Sequence, residues 1–210
     1  EIIKILEARK FPIESLRLFA SERSLGHTVE FNGKHIDVEV LSQDTLKDLD
    51  FALFSAGSSI SEKFCPMAAE KGIVCIDNTS HFRMVDGIPL VVPEVNKDAL
   101  KNHKNIIANP NCSTAQMMVV LKPILDAVGI NRVVVSTYQS VSGAGSSAIK
   151  ELEDQSRANL SGHQISPKAF NVPIAFNVIP QIDAFMDNGY TKEEMKMINE
   201  TKKILDNDNI

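Results

Sequence analysis

The stretch Ala108-Asn109-Pro110-Asn111-Cys112-Ser113-Thr114-Ala115 carries the strongest chemical signal in this sequence. An apolar run ends, Asn-Pro-Asn forces a tight turn, and a cysteine stands where a helical pattern begins. The first amides of a helix lack intrahelical partners and carry the positive end of its dipole. Both features favour a thiolate over a thiol, whose ordinary pKa is about 8.5. The same amides can hold the oxyanion that forms when a thiolate attacks a carbonyl, and Asn111 can add a side-chain donor. Together these parts suit acyl transfer through sulfur. On geometry alone a second reading stands level with it: a buried cysteine that merely opens a helix.

Other polar groups are less specific. Glu193 and Lys196 are three residues apart and share one helical face, the spacing of an ordinary surface ion pair. Arg83 follows an apolar run at the edge where parallel sheets bind ligands, yet a surface arginine has the same pattern. Gln139 closes a β-rich run and can face solvent equally well. Cys65 and Cys75 read as small core hydrophobes. The odd cysteine count argues against a disulfide framework, and no C-x-x-C or H-x-x-x-H spacing points to zinc.

The elements that must position these groups alternate. Ile2, Ile5 and Leu6 have helical spacing that Phe11-Pro12 ends. Leu16–Ala20 reads as a strand, and Thr28–Phe31 with His35–Val40 as a hairpin about Asn32-Gly33. Phe51–Phe54 reads as a strand buried on both faces, followed by Ser55–Ser59, a helix over 61–71 and the stop Gly72. Ile73–Ile76 and Asn105–Ala108 are further strands. After Cys112 a helix covers 113–128 with Pro123 inside it. Asn131–Ser142 reads as a long β-rich run, Gly143–Gly145 as a turn, 146–160 as helix, 161–177 as loop and 192–205 as the last helix. This texture gives an α/β fold, a Rossmann-type, doubly wound sheet over 1–111 followed by an α+β region over 112–210.

The chain has 210 residues, 43% hydrophobic and 23% charged, with net charge −5, the balance of a globular protein that has a true core. An acidic surface disfavours nucleic acid as a partner. No apolar run reaches the roughly 18–20 residues that span a bilayer, and no leader pattern opens the chain, so the expected compartment is the cytoplasm. The sequence opens inside a helical pattern without a methionine, and is read as the central portion of a longer protein.

The run Asn109-Pro110-Asn111-Cys112-Ser113-Thr114 resembles the active-site signature of aspartate-semialdehyde dehydrogenases. Further blocks resemble the family in the same order: Phe54–Ser59, Asp77–Ser80 with Phe82-Arg83, Val91–Asn96, Ser136–Gly145 and Glu193–Lys196. Together they span nearly the whole chain. Related reductases for N-acetylglutamyl phosphate usually carry a glycine before the cysteine and an aromatic residue after it. Such a reductase, and an inactive truncated paralogue with a binding or subunit role, are the alternatives.

The resemblance implies reversible conversion of aspartate semialdehyde, phosphate and NADP⁺ into aspartyl phosphate and NADPH. Cys112 is then the acyl-forming nucleophile, with Asn111 and Gln139 beside it. Glu193 binds the substrate ammonium, Lys196 its phosphate or carboxylate, and Arg83 the phosphate. After the second Rossmann strand, Ser21, Arg23 and Ser24 suit the 2′-phosphate of NADP, although Glu22 stands among them. Gly57 and Ser58 can approach the cofactor backbone-first, and Ser142-Gly143 match a family cofactor-contacting turn. A homodimer is implied, and by the same resemblance 1–111 is a truncated, NADP-binding Rossmann-like domain that lacks its first strand and 112–210 part of the catalytic and dimerisation domain. The family's glycine-rich loop is expected before Glu1 and its acid/base histidine beyond Ile210. None of His27, His35, His81, His103 and His163 falls at that position, so the 210 residues alone are expected to be inactive.

Overall fold

Asn32 and Gly33 both adopt positive φ, 49° and 73°, the backbone a two-residue turn needs to match strand twist. They join β2 (Thr28–Phe31) to β3 (Lys34–Val40) in antiparallel register, Phe31 opposite Lys34. In this computed structural model, which describes Glu1–Ile210, the hairpin is the edge of a three-stranded sheet. β1 (Leu18–Ala20) pairs parallel to β3 and gives the order β1-β3-β2. The helix α1 (Ile2–Ala8) precedes it, and the Glu7 carboxylate accepts the Asn32 N–H at 2.6 Å.

The second sheet is all parallel, in the order β4-β5-β6, formed by Phe51–Phe54, Val74–Asp77 and Ile106–Ala108. Between β4 and β5 runs α2 (Ser58–Glu70), a β-α-β crossover. It ends in a Schellman motif: Ile73 N–H reaches Ala68 O at 3.1 Å and Gly72 N–H reaches Ala69 O at 3.0 Å, with Gly72 at φ 82°. Cys65, Ala68, Ile73, Cys75, Leu90 and Ala108 form the core between helix and sheet, each at most 2% exposed. Cys65 and Cys75 are free and buried, and the hydrogen bond with Cys75, then burial, push the Cys65 thiol far above its usual range.

Phe51–Phe54 departs from expectation. Phe51 and Leu53 are 64% and 47% exposed, because β4 is a sheet edge and α2 covers only one of its faces. The short helix α3 (Pro93–Asn96) precedes β6.

The chain divides into two compact units, Glu1–Pro110 and Asn111–Ile210. In the second, α4 (Cys112–Val128) packs against α6 (Lys192–Leu205), and α5 (Ser146–Leu160) lies between them in sequence. Met118, Ala148, Met197 and Ile204 are buried there. Thr191 opens α6 with a full capping box to Glu194. The β-rich run Asn131–Ser142 forms no strand: 131–140 join no ladder, and Val134 and Tyr138 are 76% and 88% exposed. β-branched composition favours extension, but a strand also needs a neighbour for its amides and carbonyls. The loop 161–177 is shaped from α5. Glu151 accepts the N–H groups of Lys168 (2.8 Å) and Ala169, and Gln155 accepts those of Ile174 (2.8 Å) and Ala175 (3.1 Å).

Replacing Gly72 by alanine forces a Cβ into left-handed backbone and is expected to destabilise the protein by about 1 kcal/mol, read as a lower urea midpoint with an unchanged slope.

Candidate active site

Asn111 is where the site begins, and each of its four polar atoms is bonded. Its backbone N–H donates to Glu200 Oε2 at 2.7 Å, and its carbonyl accepts Ala115 N–H at 2.8 Å. Its Oδ1 caps α4 by accepting Ser113 N–H at 2.9 Å and Thr114 N–H at 3.4 Å. Its Nδ2 donates to Glu193 Oε1 at 2.8 Å. The sequence suggested Asn111 as an oxyanion donor; the structure employs its side chain as a helix cap and as a link to α6.

With the cap held, Cys112 is the first residue of α4 and the one exposed cysteine of three. An exposed thiol at the start of a 17-residue helix removes the reading of a buried structural cysteine. Ser113, next in line, accepts a hydrogen bond from Gln139 Nε2, which also lies 3.4 Å from Glu193 Oε1. Gln139, though exposed, is therefore tied to the cysteine turn.

α6 supplies the charges. Glu193, Lys196 and Glu200, spaced i, i+3 and i+7, lie along one face. Glu193 is 9% exposed, far from the surface ion pair its spacing alone suggested. Burial pushes its carboxyl up, but hydrogen bonds from Asn111, Lys196 and Gln139 outweigh this and hold it below the usual carboxylate range. Lys196 Nζ sits 3.1 Å from Glu193 Oε2 and 2.9 Å from Asp183 Oδ2. Burial lowers its pKa, yet the two carboxylates raise it overall. Asp183 is held below its usual range, first by that lysine and then by the Ala184 N–H.

Two of these residues escaped the sequence reading. Glu200, 1% exposed, fixes the Asn111 backbone; its i+7 spacing from Glu193 was a usable signal. Asp183 lies in an irregular loop, where no periodicity points to it.

The other candidates stand on other segments of the chain. Ser142 and Gly143 lie in a 3₁₀ turn over Val141–Ala144, which Ser140 caps through Ser142 N–H at 3.1 Å. Arg83, Ser21, Arg23, Ser24, Gly57 and Ser58 belong to the first unit. Arg83 is 8% exposed, so it is no ordinary surface arginine; its Nε donates to Asn109 O at 2.9 Å and its Nη2 to Asn78 O at 3.1 Å. These carbonyls lie on the loops after β6 and β5, at the carboxyl edge of the parallel sheet, where Asn109 Nδ2 also meets Asn78 Oδ1 at 2.7 Å. Gly57, at φ 105°, opens α2, and Ser58 Oγ lies 3.2 Å from Ser80 Oγ. Ser21, Arg23 and Ser24 follow β1 in a 3₁₀ turn, with Arg23 exposed.

A parallel α/β unit followed by a unit that opens on an exposed helix-terminal cysteine has a counterpart among known proteins. Residues 1–103 match the family described as "Semialdehyde dehydrogenase, NAD binding domain", and residues 121–210 match "Semialdehyde dehydrogenase, dimerisation domain". The chain is 56% identical over 211 residues to an aspartate-semialdehyde dehydrogenase of Shewanella sp. (strain DB6705), covering 100% of this chain and 62% of that protein. It is 54% identical to the aspartate-semialdehyde dehydrogenase of Vibrio mimicus, covering 100% and 67% respectively. The crystal structure of aspartate semialdehyde dehydrogenase II complexed with ASA from Vibrio cholerae superposes with a TM-score of 0.96 at 55% identity, covering 100% of this chain and 63% of that one. The chain belongs to the aspartate-semialdehyde dehydrogenase family. It spans about 62% of the length of the Shewanella relative. No helix is long and apolar enough to cross a membrane.

Two outcomes follow. Iodoacetamide on the native protein is expected to label Cys112 alone, with Cys65 and Cys75 labelled only after denaturation; peptide mapping checks this. Because the folded pKa of Glu193 lies below its ordinary value of 4.5, the stability it contributes is present above that value and is lost as pH falls through the folded pKa. Glu193→Gln should therefore flatten the acid limb of a plot of urea midpoint against pH.

Proposed function

We propose that the protein carrying this chain interconverts aspartate semialdehyde and aspartyl phosphate through a thioester on Cys112, with NADP as its hydride partner. The observation that carries this reading is the exposed Cys112 at the N-terminus of α4, with Gln139, Asn111, Glu193 and Lys196 linked around its turn. Residues 1–111 serve as the NADP-binding domain and 112–210 as part of the catalytic and dimerisation domain.

The Cys112 thiolate adds to the aldehyde carbon and forms a C–S bond, giving a hemithioacetal at the N-terminal, positive end of α4. Bound NADP⁺ would supply the acceptor for the hydride that leaves that carbon. Cys112 then holds the substrate as a thioester. A phosphate oxygen attacks the carbonyl, the C–S bond breaks, and the thiolate is restored as aspartyl phosphate leaves. In the biosynthetic direction the steps reverse, toward lysine, threonine and methionine. Glu193, a carboxylate by its environment, takes the substrate ammonium, and Lys196 takes an oxyanion, phosphate or carboxylate. Arg83, its guanidinium held by two carbonyls, binds phosphate. Gln139 orients the substrate, and Asn111 holds the turn.

The first unit fits a dinucleotide. A Cβ built on Gly57 meets nothing within 4 Å, so the start of α2 is open to close backbone approach. Exposed Ser21 and Arg23, with Ser24, stand at the carboxyl end of β1, where a cation suits a 2′-phosphate. In the second unit, Ser142 and Gly143 are the cofactor-contacting candidates. Homodimerisation is supported by the family description for 121–210 and by apolar side chains left in solvent there, Val128 at 82%, Val134 at 76% and Tyr138 at 88%.

The test is NADPH formation by the complete gene product from aspartate semialdehyde and phosphate. Cys112→Ala is expected to lower kcat by at least about a thousandfold. N-acetylglutamate semialdehyde should not replace the substrate, and the 210 residues expressed alone should give no turnover. An active Cys112→Ala enzyme would defeat the reading.

A further inference from the structure

The ammonium of Lys196 faces two carboxylates, and they are not equivalent. Glu193 is buried and also bonded to Asn111 and Gln139, so it is fixed from three sides. Asp183 has a side chain 33% exposed; one oxygen meets Lys196 at 2.9 Å and the other accepts the Ala184 N–H at 2.8 Å. Two carboxylates against one lysine leave a net charge of −1, a poor host for an anion, and Lys192 is the further charge that acts on Asp183. An incoming oxyanion must therefore contend with a carboxylate already on Lys196, and the exposed one is the one able to yield. We propose that Asp183 competes with the substrate for Lys196, and that the oxyanion Lys196 receives displaces it, so that the Asp183 charge sets how tightly that group is held. The proposal rests on the assignment of Lys196 as an oxyanion site.

The substitution that isolates the charge is Asp183→Asn. Asp183 has φ 65°, a left-handed backbone that asparagine accepts readily, and an asparagine oxygen can still receive the Ala184 N–H. The loop also stays tied to α6 through Lys192 N–H and Ala184 O at 2.9 Å. Asp183→Gly, equally at ease with that backbone, is the second variant.

KM values for phosphate and for aspartate semialdehyde are to be measured on the complete enzyme, at low and high salt, for the parent, Asp183→Asn, Asp183→Gly, Lys196→Met and the Asp183→Asn/Lys196→Met double variant. Lys196→Met should raise the KM of the substrate whose oxyanion Lys196 holds, which separates phosphate from carboxylate. Asp183→Asn should lower that same KM about threefold to tenfold, the scale of one charge at contact distance in water. The gain should shrink in high salt and vanish when Lys196 is absent. If both Asp183 variants leave that KM unchanged or raise it, the competition is overturned while the role of Lys196 stands. A gain that persists in the double variant overturns it as well. If Lys196→Met moves neither KM, the assignment of Lys196 falls and the proposal falls with it.

Discussion

The hydrogen bond from the Asn111 backbone to the buried Glu200 carboxylate is what the rest of the second unit depends on. A carboxylate 1% exposed is costly unless its oxygens are engaged, and it needs a donor where a turn leaves an amide pointing inward. With the backbone of Asn111 fixed, its side chain lies where one end caps α4 and the other reaches Glu193. The start of α4 and the charged face of α6 are thus one hydrogen-bonded assembly. The geometry around Cys112 is set by helix packing, which is stiff, rather than by a loop.

Electrostatics give that assembly its polarity. Glu193 remains a carboxylate despite burial because donors surround it, and Lys196 remains an ammonium because acceptors surround it. Each would shift toward neutrality if moved alone into the same depth of protein. The pair thereby presents one fixed charge of each sign, each at a known place.

Much of this was legible in the sequence, for physical reasons that differ by element. The hairpin about Asn32-Gly33 was plain because positive φ at both turn positions restricts the residues that fit. α5 and α6 were plain because their polar and apolar residues repeat at helical period. The cysteine turn was plain because Asn-Pro-Asn before a helix admits few conformations. The reading failed where tertiary surroundings decide. Phe51–Phe54 reads as buried on both faces, yet an edge strand covered by one helix exposes two of its four side chains. Asn131–Ser142 has strand composition and no strand partner. Asp183 left no trace because its role depends on a contact thirteen residues away, from an irregular loop to a helix. Arg83 showed the reverse: its type was ordinary, and its burial and the carbonyls it meets set it apart from any surface cation.

The way α5 holds the loop beyond it carries a consequence for how that region can vary. Four backbone amides between 168 and 175 are received by two side chains one helical turn apart, so the path of the loop is recorded on a different segment from the loop itself. Main-chain amides look alike whichever residue bears them, proline aside. The loop can therefore change its side chains widely and keep its course, whereas a single exchange at Glu151 or Gln155 would release a stretch of chain that the exchange itself never touches.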